Sequence, residues 1–121
     1  MPQREPVLLC LDILRAARHI QSHLGSVSRD EFATDQMRRD AVERCFITVG
    51  EAMNVLAKSA PDVATRVSAA RQIIGFRNLL VHGYAMIDPA VVFAISKADV
   101  PLLIEEVTAI ISESRPEFLT P

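Results

Sequence analysis

An all-α fold is what this sequence predicts, on three observations. Half of its 121 residues are hydrophobic, and Ala, Leu, Ile and Val carry that content, with no Trp, one Tyr and five Phe; such a composition suits helix-on-helix packing better than an aromatic-rich sheet. The apolar residues recur at steps of three and four, the period of a helix with one buried face. Start and stop residues then punctuate these stripes at helix-sized intervals. A chain of this length has room for one domain with a real core, so the expectation is one helical domain over residues 1–121, an up-and-down, largely antiparallel bundle of four to five helices.

The elements follow in order. Pro6 suits the first turn of a helix running to about Leu24, in which Leu9, Ile13, Ala16, Ala17, Ile20 and Leu24 form the stripe and Gly25 stops it. Leu8, Leu11 and Leu14 widen that stripe enough for more than one neighbour, which in a small domain can include a second subunit. Ser28 and Glu31 make a capping-box pattern that opens a short turn, and Asp35 caps a long helix to about Ser59. Val42, Cys45, Val49, Ala52, Met53 and Leu56 face its core, while Asp40, Glu43, Arg44, Glu51 and Asn54 lie opposite. Pro61 and Asp62 break the chain; a third helix takes Val67 to about His82, with Gly83 suited to a left-handed cap. Gly75 sits inside it, at a cost of about 1 kcal/mol relative to Ala, and suggests close approach of another helix. Asp88 and Pro89 start a short helix through about Ala98; Asp99 opens the last one, which buries Val100, Leu103, Ile104, Val107, Ile110 and Ile111 and turns Glu105, Glu106 and Glu113 outward.

A formal net charge of −2 argues against coating nucleic acid by bulk attraction, so any RNA contact must come from a local patch. The middle of the chain offers one. Residues 58–84 carry four basic and one acidic residue, a balance of +3, against −1 for residues 1–57 and −4 for residues 85–121. Cys10 and Cys45 lie on separate predicted helices without CxxC or histidine at ligand spacing, which reads as buried free thiols in a reducing compartment and no metal site. No signal-peptide pattern begins the chain and no apolar run reaches the roughly 20 residues of a membrane span. The expected location is cytoplasmic.

The segment Arg77-Asn78-Leu79-Leu80-Val81-His82-Gly83-Tyr84 carries the chemistry. Ile73, Ile74, Leu80 and Val81 surround Arg77 at helical spacing, and a permanent charge among apolar neighbours needs an anion, either a carboxylate from another helix or a substrate phosphate. Five residues turn a helix by about 140°. Arg77 and His82 therefore converge only if the helix ends first, letting the ring swing back, or if a symmetric dimer shares the site. Metal-free RNA cleavage requires a base for the ribose 2′-hydroxyl, an acid for the leaving oxygen and positive charge on the phosphate. His82 would be the acid/base and Arg77 the phosphate clamp. Asn78 could hold the ring or the substrate, and Tyr84 could hydrogen-bond the phosphate or orient the histidine. A purely structural reading stands beside this one: Arg77 paired with Glu51 across the bundle, His82 a helix cap and Tyr84 part of the core. His19 and His23 share a helix face at metal-ligand spacing, but no third ligand accompanies them.

The order Glu43-Arg44, Val49-Gly50-Glu51-Ala52, then Gly75 through Tyr84, then Ile87-Asp88 with Val92-Phe93 resembles the HepT-type toxins of the HEPN superfamily, over about residues 5–112. The family's pattern of Arg, four residues, His, one residue, Tyr is matched by Arg77, His82 and Tyr84, and its Gly-Glu-Ala by Gly50, Glu51 and Ala52; Phe93 stands near the family's usual Trp. The resemblance implies a small helical bundle that dimerises with its Arg-His motifs facing, and a metal-independent endoribonuclease with no cofactor. Arg77 and His82 would be catalytic, supported by Asn78 and Glu51. It also implies a toxin–antitoxin pair in which a minimal nucleotidyltransferase antitoxin transfers AMP to Tyr84 and silences the nuclease. An adenylylated Tyr84 would set a negative phosphate beside Arg77 and occupy the substrate cleft. The alternative is a non-catalytic helical module that scaffolds a nucleotidyltransferase and binds nucleotide or phosphate.

Overall fold

The computed structural model describes residues 4–83 and 87–120, and among them there is helix and no strand. Five long helices lie where the periodicity puts them: α1 (Pro6–Leu24), α3 (Gln36–Ser59), α5 (Ala70–His82), α6 (Pro89–Ala98) and α7 (Val100–Ser114). Two short ones fill the corners, α2 (Arg29–Thr34) and α4 (Pro61–Ala64), and a 3₁₀ turn follows at Pro116–Leu119.

Local chemistry explains the boundaries. The Ser28 hydroxyl accepts from the Glu31 amide at 3.1 Å while the Glu31 carboxylate accepts from the Ser28 amide at 2.9 Å, a reciprocal cap that makes α2 a helix rather than a bare turn. The Asp35 carboxylate accepts from the Arg38 amide and starts α3; the Arg38 guanidinium donates to the carbonyl of His23, tying the start of α3 to the end of α1. Gly83 closes α5 at φ 60°, the left-handed cap conformation. Asp88 caps α6 through its side chain, but Asp99 at the start of α7 makes no side-chain cap bond.

One expected boundary moves. Residues 65–69 form turns and α5 begins at Ala70, not Val67. The turn is pinned from outside: the Glu106 carboxylate accepts from both the amide and the hydroxyl of Ser68, and Arg66 pairs with Glu113 at 2.6 Å. Glu106 is accordingly half-buried and reaches across the bundle, where the stripe pattern turns it outward.

Antiparallel neighbours build the layer. The end of α1 meets the start of α3, Gly50 and Ala57 of α3 lie against Arg77 and Ile74 of α5, and the first residues of α1 share a crevice with Ile110 and Ser114 of α7. The spatial order is α7, α1, α3, α5, with α6 set against α7 and α2 and Phe93 on Phe32. The two central helices hold the core: Ile13, Ala17, Ile20, Val42, Val49, Met53 and Leu56 are fully buried. Helix α5 is an edge. Only Ile73 and Phe76 of its thirteen residues are buried, Phe76 edge-on to Phe46, and Val81 and Leu79 are 45 % and 63 % exposed. Cys10 is buried and burial pushes its thiol up to about 11, whereas Cys45 is only half-buried; both are free.

Candidate active site

Gly50 builds the site from beneath. A Cβ at this position would overlap the Arg77 Cβ and lie 2.6 Å from its Cγ, so only glycine lets α5 come this close to α3. The aliphatic stem of Arg77 rests on that bare backbone, with a quarter of the side chain left exposed. The close approach expected of Gly75 thus belongs to Gly50. Nothing lies within 4 Å of a Cβ built at Gly75, which faces outward.

At its far end the Arg77 guanidinium is held loosely. One terminal nitrogen donates to Asn78 Oδ1 at 3.0 Å; the other stands 3.6 Å from Glu51 Oε1, and Nε, buried, has no acceptor among the described residues. A committed bidentate pair has two N–H···O contacts of about 2.7–2.9 Å, and Arg77 has no such lock. Glu51 and Asn78 therefore flank the arginine, Asn78 taking one hydrogen bond and Glu51 a loose ion pair.

His82 occupies the last turn of α5, exposed, and the helix runs unbroken through it to the cap at Gly83. The helix ends where the sequence places its end, at the left-handed cap of Gly83, and at the standard pitch positions 77 and 82 lie about 140° apart around its axis. Between them on the surface lie Ile74, Asn78 and Val81, the last two exposed and the first half-buried beside Ala57 of α3. Tyr84, the expected modification site, lies outside the described residues.

Among the described residues no group of three or more His, Cys, Asp or Glu side chains is placed to hold a metal ion, and no helix is long and apolar enough to cross a membrane. Glu43 is half-buried on α3, and burial first, then Asp40, raises its carboxyl above the usual range. The role of Gly50 was not legible beforehand. Its signal was a glycine on the α3 face one residue before Glu51, where a helix tolerates glycine only at some cost.

A helical layer without strand among the described residues, whose edge helix carries Arg77 and an exposed His82, is the architecture of a HEPN-like helical protein. The chain belongs to the HepT-like ribonuclease family, whose model matches residues 13–110. It is similar to two Methanocaldococcus jannaschii proteins named as candidate RNases. With MJ1380 it shares 30 % identity over 107 residues, covering 88 % of this chain and 97 % of that one; with MJ1216, 26 % over 113 residues, covering 93 % of each. No solved structure matches the chain.

Proposed function

We propose that this protein is the toxin of a toxin–antitoxin pair, a metal-independent endoribonuclease whose active site is completed by a second copy of the chain. The observation that supports it most is the state of Arg77: seated by Gly50 and flanked by Asn78 and Glu51, yet without a bidentate carboxylate lock and with a buried Nε that has no acceptor among the described residues. A second α5 packed on the Ile74–Asn78–Val81 strip would have Arg77 on one flank and His82 on the other, so that both pairs border a single cleft.

Two imidazoles suit the chemistry. A neutral His82 takes the proton from the ribose 2′-hydroxyl as its oxygen attacks the adjacent phosphorus; a protonated His82 gives its proton to the departing 5′-oxygen. The products are a 2′,3′-cyclic phosphate and a 5′-hydroxyl. Arg77 stabilises the charge that gathers on the non-bridging oxygens. In this reading Tyr84 is where a minimal nucleotidyltransferase antitoxin attaches AMP, whose phosphate neutralises Arg77 and fills the cleft.

The test is RNA cleavage by purified protein in excess chelator. His82→Ala is expected to lower the rate by about 10²–10⁴-fold with helicity and Tm unchanged, and co-expression with the nucleotidyltransferase should add one adenylyl group at Tyr84 by mass spectrometry. Cleavage by the variant at the parental rate would remove His82 from the mechanism. A second reading, a phosphate-binding scaffold that cuts nothing, is favoured by the net charge of −2; nucleotide binding by calorimetry without cleavage would select it.

A further inference from the structure

Beside the clamp, on the face that α1 and α3 share, lies an open groove of about 450 Å³, within the size range of small-ligand sites. Ala16, Ala52 and Val55 give it an apolar floor, and Arg15, His19 and Thr48 stand on its rim. Its two carboxylates have cationic neighbours: Asp12 accepts from Arg4 at 2.8 and 3.1 Å, and Glu51 stands loosely beside Arg77 at 3.6 Å. Arg15 is exposed and has no carboxylate within ion-pair distance among the described residues. The groove therefore has an apolar base and mixed charges around it, with Arg15 the basic group that lacks a carboxylate neighbour, and Glu51 links it to the guanidinium.

We propose that this groove is a nucleotide subsite for single-stranded RNA, taking the residue next to the scissile phosphate: its base lies on Ala16, Ala52 and Val55, and its phosphate meets Arg15 and His19. The inference rests on the reading of Arg77 as the clamp of an RNA-cleaving site. Apolar contact with a base face is tolerant of sequence, and a cation on the following phosphate fixes register. An exposed Arg15 without a carboxylate partner, on the rim of an apolar groove, fits this ligand; a purely apolar partner helix would leave that charge buried and unpaired.

Cys45 supplies a reporter. It lines the groove and is half-buried, while Cys10 is fully buried, so a maleimide reads the groove alone in the folded protein. An all-2′-deoxy oligonucleotide lacks the attacking hydroxyl and stays intact. It is expected to slow Cys45 labelling in the parent and in His82→Ala, and to do so far less in Arg15→Ala. For the cleavable RNA, Arg15→Ala is expected to raise KM about fivefold at 0.1 M salt and to shrink the slope of log affinity against log salt by about 0.7, the single-strand value for one lost phosphate contact. Arg29→Ala, the same charge change on α2, is the control. An unmoved KM and slope in Arg15→Ala, with the parent still cleaving, overturns the subsite and leaves the catalytic reading standing. Protection of Cys45 by oligonucleotide in a protein that cleaves nothing does the reverse. Protection that rises with protein concentration alone means a second copy covers the groove, and that also overturns the proposal.

Discussion

Helix α1 and helix α5 are built from similar residues and treated in opposite ways. Ten of the nineteen residues of α1 are buried, because α3 and α7 cover it on two sides. Helix α5 packs chiefly on α3, and Leu79 and Val81, which would be core residues in α1, stand in solvent beside Arg77 and His82. An apolar residue in α1 is explained by stability; Leu79 and Val81 in α5 have no cover among the described residues.

The largest expected contrast is between the cores of the two helices. Ile13→Ala, at a fully buried position, should cost about 2–5 kcal/mol, while Val81→Ser should stay within about 0.5 kcal/mol in the monomer and instead weaken self-association. Chemical denaturation and sedimentation measured together check both. Equal stability losses would erase the distinction between the helices.

Two glycines sharpen it further. Gly50→Ala should destabilise by about 1–3 kcal/mol, since the new methyl meets a Cβ, not a flexible tip, and it should lower RNA cleavage by displacing Arg77. Gly75→Ala meets nothing and should stabilise the monomer by about 0.5–1 kcal/mol. Denaturant midpoints of the pair decide this.

The smallest effects lie at the α2–α3 corner, remote from either face of the comparison. Ser28→Ala removes a cap bond and should cost about 1 kcal/mol. Backbone and side-chain hydrogen bonds from Ser28 lower the Glu31 carboxyl below its usual value, and those from Arg38 lower that of Asp35. A folded value below the unfolded one gives stability that is complete above the unfolded carboxylate range and fades as the pH falls through the lowered folded values. Tm of the parent should therefore decline in acid more steeply than that of Glu31→Gln. Parallel pH profiles would contradict the assignment.

Helices α1, α3 and α6 were readable almost to the residue because each carries its own punctuation: Pro6 and Gly25, Asp35, Asp88 and Pro89. The start of α5 was not. It depends on Glu106 reaching Ser68 from a helix 38 residues away, a tertiary contact that periodicity does not register. The site divides the same way. Arg77, Asn78, His82 and Glu51 could be picked out from residue type and spacing, but the seat at Gly50 and the α1–α3 groove arise only where two helices meet. The 140° between positions 77 and 82 was legible as geometry, and the proposed site meets it with the requirement of a second chain.

That requirement is most directly examined by mixing two inactive variants, Arg77→Ala and His82→Ala, after dissociation and reassociation. Each keeps the group the other lacks. A site shared across the dimer predicts that the mixture, which keeps one Arg77 and one His82 in a single cleft, cleaves RNA measurably faster than either variant alone, though slower than the parent with its two imidazoles. A mixture that forms heterodimers and still fails to cleave would show that Arg77 and His82 must come from the same chain, and the shared site would be wrong.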